Sequence, residues 1–243
     1  MRHPADDFDA QVAGVAALGE PVRRALYRYV VAQPDPVSRD QAAEGTGVPR
    51  HVAKFHLDKL TQEGLLEVEY RRPPGRRGPG AGRPTKLYRR SPRELQVSLP
   101  ERRYELAGRV MAQAIVDAEQ HNTPITAALS RVARGTGRAL GEEARRRAGA
   151  RAGQAALLAA TVGTLAEHGY EPRADPDGLI LANCPFQALA RANTDLVCGM
   201  NLDFIDGLLA GLERTNLEAR LDPAPGRCCV TIRRQRPGRK EAP

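Results

Sequence analysis

Cysteine is missing from the first 183 residues of this 243-residue chain, and then four appear in its last quarter. Tryptophan is absent throughout and Phe and Tyr are scarce, so any core must rest on Leu, Val, Ala and Ile. No run of about 18 apolar residues occurs, so no transmembrane helix and no membrane partner are expected. The opening MRHPADDFDAQ carries three acids and lacks the apolar stretch of a secretory leader. A reducing cytoplasm is therefore expected, where structural disulfides are rare. That excludes the simplest reason for gathering cysteines in one region.

What the chain does have is positive charge. The formal net charge is +8 and the pI about 9.7, a balance that favours polyanionic partners. The length allows one or two domains, each with a real core. The charge is concentrated: RRPPGRRGPGAGRPTKLYRRSPR, residues 71 to 93, holds nine Lys or Arg and no acid. Taken alone, such a run reads equally as a solvated linker. Its flanks decide otherwise. LLEVEYR (65 to 71) alternates like a strand and TKLYRRS (85 to 91) is a second candidate, so the basic Gly/Pro segment becomes the long tip of a hairpin.

Three helices are expected before that hairpin. The first spans about Glu20 to Ala32, with Val22, Leu26, Tyr29 and Val30 on one face. Ser38 suits the cap of a short second helix that ends at Gly45. Pro49 opens a third, which runs to about Gln62 and stops at Gly64. Ala53, Leu57 and Leu60 share its apolar face, while Arg50, His51 and Lys54 fall on another. Helix, helix, turn, helix and basic hairpin make a winged helix-turn-helix, whose third helix enters the major groove of double-stranded DNA. Arg50, His51 and Lys54 are the candidate groove contacts, and Arg76, Arg77 and Arg83 of the wing the candidate backbone or minor-groove contacts. His56 lies nearer the apolar face and reads as structural; Phe55 fits either the core or a thymine methyl.

GVPRHVAKFHLDKLTQEGLLEVEYRR followed by GRPTKLYRRS resembles the DNA-binding half of bacterial ArsR/DeoR-like winged-helix regulators. The likeness covers residues 15 to 92 and implies binding to operator DNA. It leaves the sensed signal open.

SLPERRYELAGRVMAQAIVDAEQ (98 to 120) reads as one long helix. Tyr104, Ala107, Met111, Ala114 and Ala118 form a narrow seam along it, which suits homodimerisation or packing on the chain's own second domain. Two further helices are expected before residue 168, and RRRAGAR (145 to 151) reads as a solvated helix end. GTGRALG (135 to 141) evokes a glycine-rich loop but sits inside a helical pattern. No phosphate loop, nucleophile elbow or His/Glu metal motif supports an enzyme carrying a DNA-binding appendage. His168 is a minor candidate ligand, placed nearer a helix C-terminus than a metal.

In the cysteine region YEPRA and LILANC form a hairpin around DPDG, and Pro185 opens a short helix. A longer helix starts near Thr194 and places Cys198 in its first turn, where the helix dipole favours a thiolate. LEARLD and CCVTIRR form a last hairpin, with Cys228 on the core side and Cys229 opposite. Inert buried thiols, a dithiol sensor and the ligands of an iron–sulfur cluster all fit this placement. The C-x-x-C type spacing of a zinc or thioredoxin-like site is absent.

NCPF, the interval to Cys198 and the late GRCCV strand resemble the sensor half of SufR-like regulators, winged-helix repressors of iron–sulfur-cluster assembly operons. That resemblance, looser and from about residue 100 to 234, implies a [4Fe–4S] or [2Fe–2S] cluster held by Cys184, Cys198 and Cys228. Cys229 is the less favoured neighbour, and the fourth ligand is unassigned. The expected molecule is an α+β cytoplasmic regulator, a homodimer. It has a DNA-binding domain at 15–92 and a dimerisation helix plus sensor domain at 98–234. A winged-helix regulator binding zinc or a small organic effector, with structural cysteines, is the alternative.

Overall fold

The computed structural model describes residues 4–71, 84–149, 151–213 and 215–235. The chain divides into two compact units, Met1–Val97 and Ser98–Pro243. The fold is α+β, with helices and two small antiparallel sheets. Among the described residues no helix is long and apolar enough to cross a membrane.

In the first unit α1 (Pro4–Ala17) precedes the three expected helices, α2 (Pro21–Ala32), α3 (Arg39–Thr46) and α4 (Arg50–Gln62). Local chemistry fixes their starts. The Glu20 carboxylate accepts from the backbone N–H groups of Val22 and Arg23 at 3.0 and 2.6 Å, just ahead of Pro21. Ser38 and Gln41 form a reciprocal capping box on α3. Glycine fixes two of the ends: Gly47 closes α3 and Gly64 follows α4, both with the positive φ that glycine adopts without strain. Strands β1 (Val37–Ser38), β2 (Leu66–Arg71) and β3 (Thr85–Arg90) form a sheet in the order β1-β3-β2, with Leu66 opposite Arg90 and Arg71 opposite Thr85. Leu26, Leu57, Leu60, Leu66 and Tyr88 lie fully inside. Each such apolar side chain contributes about 1.5–3 kcal/mol by leaving water.

Two details differ from the sequence reading. The N-terminal segment forms a helix, α1, whose weak apolar pattern (Val12, Val15, Ala17) gave little signal. Gly45 is not the end of α3 but lies inside it. Its role is close approach: a Cβ there would sit 2.0 Å from the Tyr29 ring.

The second unit contains α5 (Tyr104–His121), α6 (Ile125–Ala148), α7 (Gln154–Glu167), β4 (Pro172–Asp175), β5 (Gly178–Leu181), α8 (Gln187–Ala192), α9 (Thr194–Leu212), β6 (Leu217–Leu221) and β7 (Val230–Arg234). Its sheet has the order β4-β5-β7-β6, antiparallel throughout. Helix α9 is the centre, buried from Val197 to Leu212 on nearly every side. It meets α6 backbone to backbone. Gly137 and Gly141 of α6 face Gly207 and Gly211 of α9, and a Cβ at any of the four would fall 1.9 to 2.2 Å from a carbonyl oxygen across the contact. Arg134 ties the same helices outside the core, reaching Asp203 and Asp206 at 2.8 and 2.5 Å. The GTGRALG segment thus serves as a helix contact inside α6.

Helix α5 begins at Tyr104, so residues 98 to 103 are not helical. The proposed seam is occupied within the unit. Ala107 and Ala114 are buried, with Met111 and Ala118 packed on the same core, and α5 lies against α6. Those residues therefore do not form a free dimerisation surface. The basic helix end is spent on ion pairs: Arg145 with Glu213, and Arg146 and Arg147 with Glu143.

Candidate functional site

On α4 the buried face holds Ala53, His56, Leu57 and Leu60, and the opposite face presents Arg50, His51 and Lys54 to solvent. Arg50 is held by Asp40 of α3 at 2.5 Å. Lys54 and His51 have no side-chain partner among the described residues. Phe55 is 65% exposed, which places it on the open face rather than in the core. His56 is structural as expected: its Nδ1 lies 3.4 Å from both Arg23 Nε and the Glu20 carboxylate. The far end of α4 is tied to the hairpin, where Asp58 accepts from Lys86 Nζ at 2.5 Å and Tyr88 Oη at 3.2 Å. This fixes the angle between the exposed helix face and the root of the wing. Arg76, Arg77 and Arg83 lie outside the described residues.

In the second unit all four cysteines are free thiols lining one pocket of about 280 Å³. Cys184 arrives on the loop after β5, Cys198 from α9, and Cys228 and Cys229 from the turn before β7. The expectation that Cys229 faces away assumed a strand already running at Cys228. Strand β7 starts only at Val230, so its alternation does not reach the pair, and both thiols meet the pocket.

The Cys228 sulfur is the most elaborately held. It accepts from the Asn201 side-chain amide at 3.2 Å and from the Val230 backbone N–H at 3.5 Å. Asn201 in turn accepts from the hydroxyl of Tyr170, a ring with 1% exposure. Cys184 sits against Cys228 and, deprotonated, accepts from its thiol. That contact, with the Phe186 backbone N–H and the charge of Arg102, holds Cys184 down to about 7 against the opposing effect of burial. The same pairing, followed by burial, pushes Cys228 far up, so the pair keeps one proton between them. Cys198 departs from expectation. It lies beyond the first turn of α9, and burial first, then Cys229, pushes it up to about 12. The activated thiol is Cys184.

The Cys184 loop is strapped to residues 101 to 103. Arg102 donates to Asn183 Oδ1 at 2.5 Å, to the Cys184 carbonyl at 3.2 Å and to Gln187 Oε1 at 2.6 Å. Asn183 donates to the Glu101 carbonyl at 2.9 Å, and the Arg103 backbone N–H to the Pro185 carbonyl at 3.0 Å. The pocket wall is thereby joined to the start of the second unit, where the chain arrives from the first.

Among the described residues no three or more His, Cys, Asp or Glu side chains are arranged to hold a single metal ion. The four thiols share a cavity rather than a point. His168 caps α7, its Nδ1 2.8 Å from the Thr164 carbonyl and its pKa lowered mainly by burial. It is not one of the pocket residues. Asn201, Arg102 and Arg227 were not anticipated. Asn201, one helical turn after Cys198, and Arg227, next to Cys228, carried a local signal; Arg102 carried none.

A family model described as a helix-turn-helix domain matches residues 18–69, the stretch from just before α2 into β2. No curated protein and no solved structure gives a significant match to the chain. With that match and the exposed cationic face of α4, the chain is a DNA-binding transcriptional regulator of the helix-turn-helix type.

Proposed function

We propose that this regulator is a cytoplasmic, homodimeric repressor that senses an iron–sulfur cluster in the four-thiol pocket and controls genes of cluster assembly. One observation carries the reading: every cysteine of the chain, drawn from three separate segments, lines the same cavity. Four thiolates are the common ligand set of [2Fe–2S] and [4Fe–4S] clusters. Thiols that do not converge on one point suit a multi-iron core better than one zinc ion, whose sulfur ligands all lie near 2.3 Å from the metal. The buried, unpartnered Nη1 of Arg227 beside these thiols fits an anionic occupant.

Cys184, Cys198, Cys228 and Cys229 would hold the group, with Cys229 filling the fourth position. When bound, the cluster supplies a redox-sensitive and iron-dependent charge. The chain's residues do the rest. Each thiol must lose its proton on binding, so loading is tied to pH. Cys184 is already poised to do so, and the N–H groups of Asn201 and Val230 offset the cost at Cys228. Arg102 and Asn183 already strap the Cys184 loop to residues 101 to 103, so a group held by Cys184 would bear on the start of the second unit through that strap. The resulting population shift favours one disposition of the DNA-binding heads. For the proposed dimer the candidate contact is the outer face of α5, where Ile115 and Val116 are exposed.

The test is anaerobic reconstitution of the full chain with ferrous iron and sulfide, followed by binding to a selected operator. Holo and apo affinities should differ by a factor of about 5–150. In Cys198→Ser and Cys229→Ser alike, visible absorption should be lost and that ratio should fall to one. Stoichiometric zinc without iron or sulfide in the anaerobically purified protein would sink the proposal.

A further inference from the structure

Arg227 immediately precedes the paired cysteines and lines the thiol pocket. Its Nη2 donates to Asp222 Oδ2 at 2.8 Å, and the same oxygen accepts from Arg233 Nη2 at 3.1 Å. One carboxylate thus serves two guanidinium groups. Arg227 Nη1 is buried and has no hydrogen-bond partner, on a side chain only 17% exposed. Leaving a buried donor unmade costs about 1–3 kcal/mol, more on a charged group. Native folds rarely leave one without a reason, such as an absent ion. A second guanidinium, that of Arg191, lines the pocket from its solvent-exposed rim and has no protein partner among the described residues. Positive charge therefore exceeds negative charge where four sulfur atoms meet. The protonated thiols of Cys198 and Cys228 are poor acceptors for these donors, and a single thiolate at Cys184 does not match two guanidinium groups. An occupant that is itself anionic, with sulfur acceptors on its surface, would satisfy them.

We infer that Arg227 is a contact residue of the bound cluster, donating from Nη1 to a core sulfide or ligating thiolate, with Asp222 fixing the direction of the guanidinium. This rests on the reading of the pocket as a cluster seat. Hydrogen bonds to the sulfurs and nearby positive charge help set a cluster's reduction potential. They favour the reduced form, which carries one more negative charge. Arg227 therefore helps set the redox range over which the regulator responds, beyond the part played by the cysteines that hold the cluster.

The experiment compares wild type, Arg227→Gln and Arg227→Lys as full chains reconstituted anaerobically with ferrous iron and sulfide. Iron and sulfide per chain, far-ultraviolet circular dichroism and the midpoint potential of the visible absorption are measured. Arg227→Gln should shift the oxidised-to-reduced equilibrium about tenfold towards the oxidised form, a fall of about 59 mV for one electron. Arg227→Lys, which keeps the charge and loses the fork, should fall by less. A folded Arg227→Gln that loses its cluster while wild type keeps it also supports the contact. If Arg227→Gln does not fold, the sign of the Arg227→Lys shift decides. Equal midpoints in wild type and the folded variants would overturn the inference and leave the cluster seat standing. A wild-type chain that takes up no iron or sulfide would overturn the seat itself.

Discussion

Arg50, His51 and Lys54 stand in solvent on a helix whose other face is packed, whereas Cys198 and Cys228 lie inside the second unit with 5% and 1% exposure. The first arrangement costs little, because exposed cations stay hydrated until a phosphate or base replaces their water. The second is demanding. A buried thiol must either remain protonated or receive N–H donors, and here Asn201, Val230 and Phe186 supply them. A surface that reads DNA can thus be built on a small helical core, while a seat for an anionic group needs a rigid surround. The four-glycine contact between α6 and α9 provides that rigidity, since α9 carries both Cys198 and Asn201.

The harshest way to break this contrast is at Gly137. Its added Cβ would fall 1.9 Å from the Phe204 carbonyl oxygen, a backbone atom that can move only if α9 moves. Gly137→Val should destabilise the second unit by about 3 kcal/mol or more, at the upper end of overpacking costs. The first unit has its own core and should be unaffected. Calorimetry should show the transition of the second unit lost or sharply lowered beside an unchanged one for the head. A uniform loss of both would mean that the units do not fold independently.

The pH response of the apo protein sharpens the comparison at the level of single thiols. Cys184 is lowered from 9.0 to about 7, so at pH 7 its thiolate fraction is roughly fifty times that of an unperturbed cysteine. Alkylation at Cys184 should rise as pH increases through 7 and then level off, while Cys198, pushed up to about 12, stays unreactive over that range. Peptide mapping after a timed pulse of iodoacetamide reads both. An inflection at Cys184 near 9 would remove the pairing with Cys228 from the account. The linkage sign follows: this depressed group lends stability above pH 9, and that stability is lost as pH falls through 7.

These two units were not equally legible from sequence. Ser38 as a cap, Pro49 at a helix start, Gly64 at a helix stop and the apolar set Leu57 and Leu60 are local signals, and they placed the head's three core helices within a few residues. Helix α1 escaped because its apolar pattern is short and largely exposed, with Phe8, Val12 and Val15 facing solvent. In the second unit the elements were readable and their meeting was not. Alternation carried past the true start of β7 turned Cys229 the wrong way, and a dipole argument activated Cys198 instead of Cys184. Both errors share a cause. Which thiol faces which, and how deeply, is set by contacts between residues 31 and 44 positions apart, Cys198 with Cys229 and Cys184 with Cys228.

A subtler cut at the sensor unit is Asn201→Ala. It strands the Tyr170 hydroxyl in a buried site and removes a donor from Cys228. The loss should be about 1–3 kcal/mol, the cost of an unsatisfied buried polar group. Tyr170→Phe should recover part of it in the double variant, because the stranded hydroxyl is then gone. Strictly additive losses in chemical denaturation would mean that the two side chains do not communicate.

The smallest expected effect lies on the DNA-binding face, and it has the opposite sign. Asp40 holds Arg50 at 2.5 Å, with both side chains mostly exposed at 60% and 65%. An exposed pair of this kind contributes about 0.2–1 kcal/mol, so Asp40→Asn should barely change the stability of the head. It should nevertheless tighten DNA binding. In the free protein Asp40 competes with the phosphate or base edge for the Arg50 guanidinium, and its charge also repels the duplex. Removing that competitor should raise operator affinity a few-fold at low salt, whereas Arg50→Ala should lower it. Titrations of both variants at two salt concentrations distinguish the cases. If Asp40→Asn binds more weakly than wild type, Asp40 orients Arg50 for the groove instead of restraining it, and the ion pair belongs to the bound form of the head.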